Sequence, residues 1–174
     1  MESSLRWWIL AACNLLLFWL QGMVGDATGA LGLTLSINAL YVIMPAVCLS
    51  QGWGLVLMFL AGLTIDAGLP IGFGFHAVLF AVALTILHAY QRSLQKAGLG
   101  QLILLAVIVN IAFMLIEALL LAGPLFDYGQ YWLRIGSDMV LSTVVTALVA
   151  WWFLSLQLWL LDISGQNLAE PENA

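Results

Sequence analysis

Between Arg6 and Arg92 the chain carries two charged side chains, Asp26 and Asp66, and between Lys96 and Arg134 two more, Glu117 and Asp127. The residues that separate them form apolar runs of 14 to 25 residues, and nothing else in the sequence constrains the fold as strongly. A soluble domain of average make-up has roughly 25% charged residues; this one has 7%, with 64% hydrophobic residues. Four Lys and Arg and nine Asp and Glu cannot clothe a 174-residue globule in water, whereas a bilayer solvates apolar side chains directly and needs charge only near helix ends. The composition therefore excludes a soluble globular fold. The runs are continuous and lack the in-out alternation of a lipid-facing strand, which excludes a transmembrane β-barrel.

Six runs can be marked off. The first extends from Trp7 to about Val24. It resembles a signal peptide in position, but Glu2 stands beside Arg6 in its n-region and no A-x-A site follows, so it reads as a retained span. The second runs from about Leu31 to Leu49 with Pro45 inside, and the third from Gly52 to Ile65, making a tight hairpin. DAGLPIGFG, Asp66 to Gly74, has three glycines and a proline, which end a helix and turn the chain. The fourth run is Phe75 to Tyr90, and Gln91 to Gly98 carries Arg92 and Lys96. The fifth is Leu99 to Ala122, stopped by Gly123 and Pro124. Asp127, Tyr128, Tyr131, Trp132 and Arg134 suit the head-group level, and a sixth run covers Ser137 to Leu161. The expected fold is all-α: one compact bundle of about six transmembrane helices over residues 1–161, followed by an acidic, disordered cytoplasmic tail at 162–174.

Six crossings of about 20 residues leave roughly 54 for loops and tails, too few for a soluble catalytic domain. The sequence has no G-x-S-x-G, H-E-x-x-H or phosphate-loop pattern. No catalytic constellation, cofactor or metal site is expected. The net charge of -5 disfavours nucleic acid as a partner. Cys13 and Cys48, each inside an apolar run, read as unpaired thiols. His76 and His88 are twelve residues apart, about 120° out of phase on a helix, and cannot share one metal.

A polar residue in an apolar span is unfavourable unless something holds it, so such residues are the candidate sites. Glu117 lies about 9 Å inside the end of the fifth run, on one face with Asn110 and Met114. Two readings stand for it: snorkelling or internal pairing, with Arg134 the basic residue on that side, or contact with a partner. Asp66 ends the third run at the glycine-rich turn, with Gly62 one helical turn earlier allowing close backbone approach. Asp138, Ser142, Thr146 and Ala150 recur every four residues and form a small, polar stripe, read as a packing seam ahead of a substrate path.

Gly62, Asp66, Gly74, His76 and Ala77 also carry a family resemblance. A glycine, an aspartate four later, a glycine eight beyond it, then histidine and alanine resemble the pattern of the bacterial rod-shape-determining protein family MreD. Chain length, about six spans and the long fifth helix with Glu117 are similar too. The resemblance implies a non-enzymatic scaffold of the cell-elongation complex in the bacterial inner membrane, acting in cell shape and peptidoglycan synthesis. Its partners would be the lipid bilayer, a bitopic MreC-like protein and, with it, MreB and the peptidoglycan synthases. The alternative is a substrate-binding component of an energy-coupling-factor vitamin transporter. Those components show alanines four apart on the first helix, where Ala11 and Ala12 are here followed by Leu15 and Leu16.

Arg6, Arg92 and Lys96 fall on one side of a six-span chain and Arg134 on the other, so both termini are expected in the cytoplasm. Reporter fusions after residue 174 and within 123–136 test this. Cytoplasmic and external signals respectively are expected, and the reverse pattern contradicts it.

Overall fold

The computed structural model describes residues 2–29, 34–68, 72–122 and 129–165. These form seven helices and, among the described residues, no strand: α1 (Glu2–Gly29), α2 (Ala39–Cys48), α3 (Gln51–Asp66), α4 (Phe75–Ala89), α5 (Gln91–Leu94), α6 (Leu99–Ala122) and α7 (Gly129–Ile163). Three of them, α1, α6 and α7, are long and apolar enough to cross a membrane; α2, α3 and α4 are apolar but shorter. The outer surface is apolar as well. Trp8, Leu15, Trp19, Phe59, Leu104 and Leu148 are all exposed, as suits a surface solvated by hydrocarbon.

The bundle is built around α2, all ten residues of which are buried. The helix expected over Leu31 to Leu49 is corrected here: residues 34–37 are not helical, and α2 begins only at Ala39. Thr34, Ser36 and Asn38 explain the difference, because their backbone or side-chain polar groups find better partners on α6 and α7 than a helix would give them.

Pro45 creates a second problem. Lacking an N–H, it leaves the Tyr41 carbonyl without its helical donor. Asn14 of α1 replaces that donor, placing Nδ2 3.3 Å from Tyr41 O. At the other end, Gln91 donates to Val47 O and Leu49 O at 3.1 and 2.9 Å, and Gln95 donates to Val47 O at 3.1 Å. The two glutamines, one helical turn apart, thus close the C-terminal end of α2.

α3 and α4 pack as a close pair. The buried face of α3 is Gly54, Leu57, Met58, Ala61, Gly62, Ile65 and Asp66, a helical repeat of three and four. Gly54 lies under Leu84, and Gly62 lies directly on the backbone of Ala77. Tyr41, Phe80 and Phe113 stack in succession, with centroids 5.9 and 5.6 Å apart, and join α2, α4 and α6. Of the separate interfacial stretch expected over Leu125 to Gly136, residues 129–136 are the first turns of α7, and Gly123 to Tyr128 lie outside the described residues. That helix runs to Ile163, two residues into the expected tail, and residues 166–174 lie outside the described residues.

A Cβ on residue 62 would come within 2.3 Å of both Ala77 Cα and Ala77 N, so α3 and α4 would have to part. Gly62→Ala should therefore destabilise the fold by about 2–3 kcal/mol in a denaturant titration in detergent. Gly52→Ala, with open space around it, should be neutral or slightly stabilising. Equal behaviour of the two variants contradicts the close approach.

Candidate functional site

The turn after α3 brings Asp66 back onto the start of α4. Gly74 has φ +96°, a left-handed conformation suited to glycine, and it points the first N–H groups of α4 at the carboxylate. Asp66 Oδ2 accepts from Gly74 N at 2.8 Å, and both carboxylate oxygens lie 3.2 Å from His76 N. The last residue of one helix thereby caps the next, and a negative charge sits at a helix N-terminus. Asp66 is 3% exposed. An aspartate ending a helix at a glycine-rich turn reads as solvated or turn-stabilising; burial excludes the first, and stabilising the turn is one part of what it does.

The other part is its grip on the imidazole. His76 Nδ1 lies 2.7 Å from Asp66 Oδ1, and Nε2 lies 3.3 Å from Glu117 Oε1 on α6. A neutral imidazole has one N–H and can donate to one of these carboxylates; the imidazolium donates to both. Glu117 Oε1 also accepts from Asn38 Nδ2 at 3.2 Å. Asn38 Oδ1 accepts from Gln21 Nε2 at 3.3 Å, and Gln21 Oε1 from the Tyr41 hydroxyl at 3.0 Å. One polar chain, Asp66–His76–Glu117–Asn38–Gln21–Tyr41, therefore links α3, α4, α6, α1 and α2.

A second cluster holds the extended segment before α2. Asn110 accepts from Ala39 N at 3.3 Å and donates to Ser36 O at 2.8 Å, which Thr146 also approaches at 3.5 Å. Ser142 Oγ accepts from Ser36 N at 3.1 Å, and Asp138 accepts from both the backbone N–H and the hydroxyl of Thr34. Three members of the α7 stripe, Asp138, Ser142 and Thr146, thus hold polar groups of residues 34 and 36, which the reading as a helix-packing seam did not foresee.

The clusters meet at residues 38 and 39, and next to them a cavity of about 350 Å³ is lined by Glu117, Asp138, Thr34, Tyr131 and Arg134. Glu117 is partly exposed there, and Tyr131 donates to Ala118 O at 2.8 Å. A carboxylate in this position can take a hydrogen-bond donor or a cation from the cavity while it holds His76 and Asn38 behind it.

Eight of the nine candidate residues fall into these two groups: Asp66, Gly74, His76 and Glu117 in the first, and Asn110, Asp138, Ser142 and Thr146 in the second; Gly62 instead seats α3 on the backbone of Ala77. Asn110 and Glu117 do share a face, and both meet the segment before α2. For Glu117, internal pairing is present, with His76 as a partner on α4. His88 lies about 18 Å along α4 from His76 and belongs to neither group. Among the described residues no group of three or more His, Cys, Asp or Glu side chains is disposed to hold a metal ion.

Sequence reasoning missed Gln21, Thr34, Ser36, Asn38 and Tyr41. A signal was there for three of them. Thr34, Ser36 and Asn38 alternate with Leu35 and Ile37, the period of extended chain and not of a helix. Comparison with known protein families, curated proteins and solved structures finds no match for this chain.

Removing the Asp66 carboxylate strands two backbone donors and one imidazole nitrogen away from water. At roughly 1–3 kcal/mol for each unsatisfied buried group, Asp66→Ala should lower stability by about 3 kcal/mol or more. Asp162→Ala, on the exposed end of α7, should change it by less than about 0.5 kcal/mol. Unfolding in detergent measures both, and an Asp66→Ala protein as stable as the parent contradicts the capping role.

Proposed function

We propose that this chain is a non-enzymatic membrane scaffold of the bacterial cell-elongation complex, with the role of the MreD family it resembles. The supporting observation is that the residues of the resemblance form one physical device. Gly62 seats α3 on Ala77, while Asp66 holds Gly74 and His76. The same His76 then joins Glu117 on α6. Such a device fixes the relative positions of helices, which is the property a platform for other transmembrane helices needs. In this account the protein sits in the inner membrane and binds a bitopic MreC-like protein and, through it, MreB and the peptidoglycan synthases.

The topology proposed with it has six crossings and both termini in the cytoplasm. α1, α6 and α7 cross by themselves. α2 is about 15 Å long, and the four non-helical residues before Asn38 add up to about 13 Å, so the two together approach the roughly 30 Å of a hydrocarbon core. α3 and α4, about 24 and 22 Å, cross as a pair.

The cavity beside Glu117 favours a second reading, a substrate-binding transporter component, since about 350 Å³ is within the range of small-ligand pockets. Native mass spectrometry separates the two. A scaffold retains a bitopic protein, whereas a tightly held vitamin or metal complex without a protein partner would favour the transporter.

If Glu117 presents its cavity-facing oxygen to a partner helix, Glu117→Ala should reduce retention of the MreC-like protein five- to thirtyfold, equivalent to about 1–2 kcal/mol. Glu117→Gln, which keeps an acceptor for Asn38, should stay within about threefold of the parent. Unchanged co-purification by a folded Glu117→Ala protein contradicts an interface role.

A further inference from the structure

The Tyr41 carbonyl, left without a helical donor by Pro45, can only accept, so the amide nitrogen of Asn14 must face it. The amide oxygen of Asn14 therefore points the other way. Asn14 is 4% exposed, and its Oδ1 is buried with no hydrogen-bond partner. A buried acceptor without a donor is unfavourable anywhere, and more so in a medium without water.

Asn14 lines a groove of about 340 Å³ between α1 and α3, with Ala11, Ala12 and Ala61 too short to fill it and Trp8 and Leu60 exposed at its edge. Three other donors of this groove are engaged within the protein. The Tyr41 hydroxyl goes to Gln21. Trp7 Nε1 donates to Trp53 O at 3.2 Å, and the Thr64 hydroxyl donates to Ala61 O at 2.7 Å. An acyl chain could fill the space but has nothing to donate.

We infer that the α1–α3 groove is the docking site of a single transmembrane helix of another protein, which brings a Ser, Thr, Asn or Gln donor to the Asn14 oxygen. Small residues along the groove let the backbones approach, and the one unmet acceptor sets the register of the incoming helix. The inference rests on the scaffold reading in so far as the occupant is a membrane helix; place and chemistry come from Asn14.

The test is site-specific photo-crosslinking of the full chain in its native membranes, with a benzophenone side chain at Leu60 in the groove or, as a control, at Leu148 on the exposed face of α7. Asn14 also supports the fold, so its removal is paired with Pro45→Ala, which gives the Tyr41 carbonyl a helical donor again. The expected result is an adduct at Leu60 to an apolar helix with a hydroxyl or amide residue. Its yield should stay within twofold in Pro45→Ala and fall at least fivefold in the Asn14→Leu/Pro45→Ala double variant. Ala12→Phe, which fills the groove and leaves Asn14 untouched, should also abolish it, and this variant decides the matter if the double variant does not fold. Adducts at Leu60 to lipid alone, to a second copy or to a helix without a donor, or a yield indifferent to Asn14 or to Ala12→Phe, overturn the inference. A protein adduct at Leu148 but not at Leu60 overturns the groove and leaves the scaffold reading standing. Protein adducts at neither position overturn both.

Discussion

Non-helical backbone inside an apolar bundle has to find a protein partner for its N–H and C=O groups, because hydrocarbon supplies none. Residues 34–37 impose that requirement here, and much of the bundle is arranged to meet it. Asn110 faces inward from α6 because Ala39 N–H and Ser36 C=O are there to be satisfied. Asp138 and Ser142, one turn apart on α7, meet Thr34 and Ser36, alternate residues of the chain beside it, and Thr146 reaches the Ser36 carbonyl. Holding this segment sets the start of α2, and α2 is the element on which the other long helices pack.

The same segment links the two polar clusters. Asn38 follows it directly and donates to Glu117, which in turn reaches His76 and so the cap on α4. A change at Glu117 therefore has a covalently short route to the backbone held by Asn110, and through His76 to the α3–α4 pair. In a scaffold, that connection would let an event at the cavity alter the packing of several helices together. Each polar contact between membrane helices is modest, on the order of 1 kcal/mol, so the rigidity comes from their convergence on one place.

Much of this was legible in the sequence where a residue's energetic cost was plain. Charge scarcity and continuous apolar runs point to helices apolar enough to cross a membrane; the observed α3, α4 and α6 follow those runs closely, while α1 extends five residues beyond its run at each end. Gly62, Asp66, Glu117 and Asp138 stand out because a missing side chain or a buried charge inside a span demands a reason. What the sequence did not disclose was pairing across distance. Asp66 and His76 are close along the chain, but nothing local to Glu117 indicates that its partners are His76 and Asn38. The α7 stripe fits helix–helix packing equally well until the break at residues 34–37 is known. That break is written in the alternation of Thr34, Leu35, Ser36, Ile37 and Asn38, a short signal overshadowed by the apolar run around it. Gln91 and Gln95 were hidden for the opposite reason: at a helix connection, two glutamines look like ordinary solvated residues.

Amide hydrogen exchange at Thr34, Ser36 and Ala39 tests most directly that side chains of α6 and α7 hold this open backbone. None of these three N–H groups bonds within a helix; they bond to Asp138, Ser142 and Asn110 respectively. Protection at least a hundredfold above that of an unstructured peptide is expected, falling at Ala39 when Asn110 is replaced by Leu while the α3 core amides stay protected. Exchange at the unstructured rate in the parent protein, or protection at Ala39 that ignores Asn110, would contradict the account.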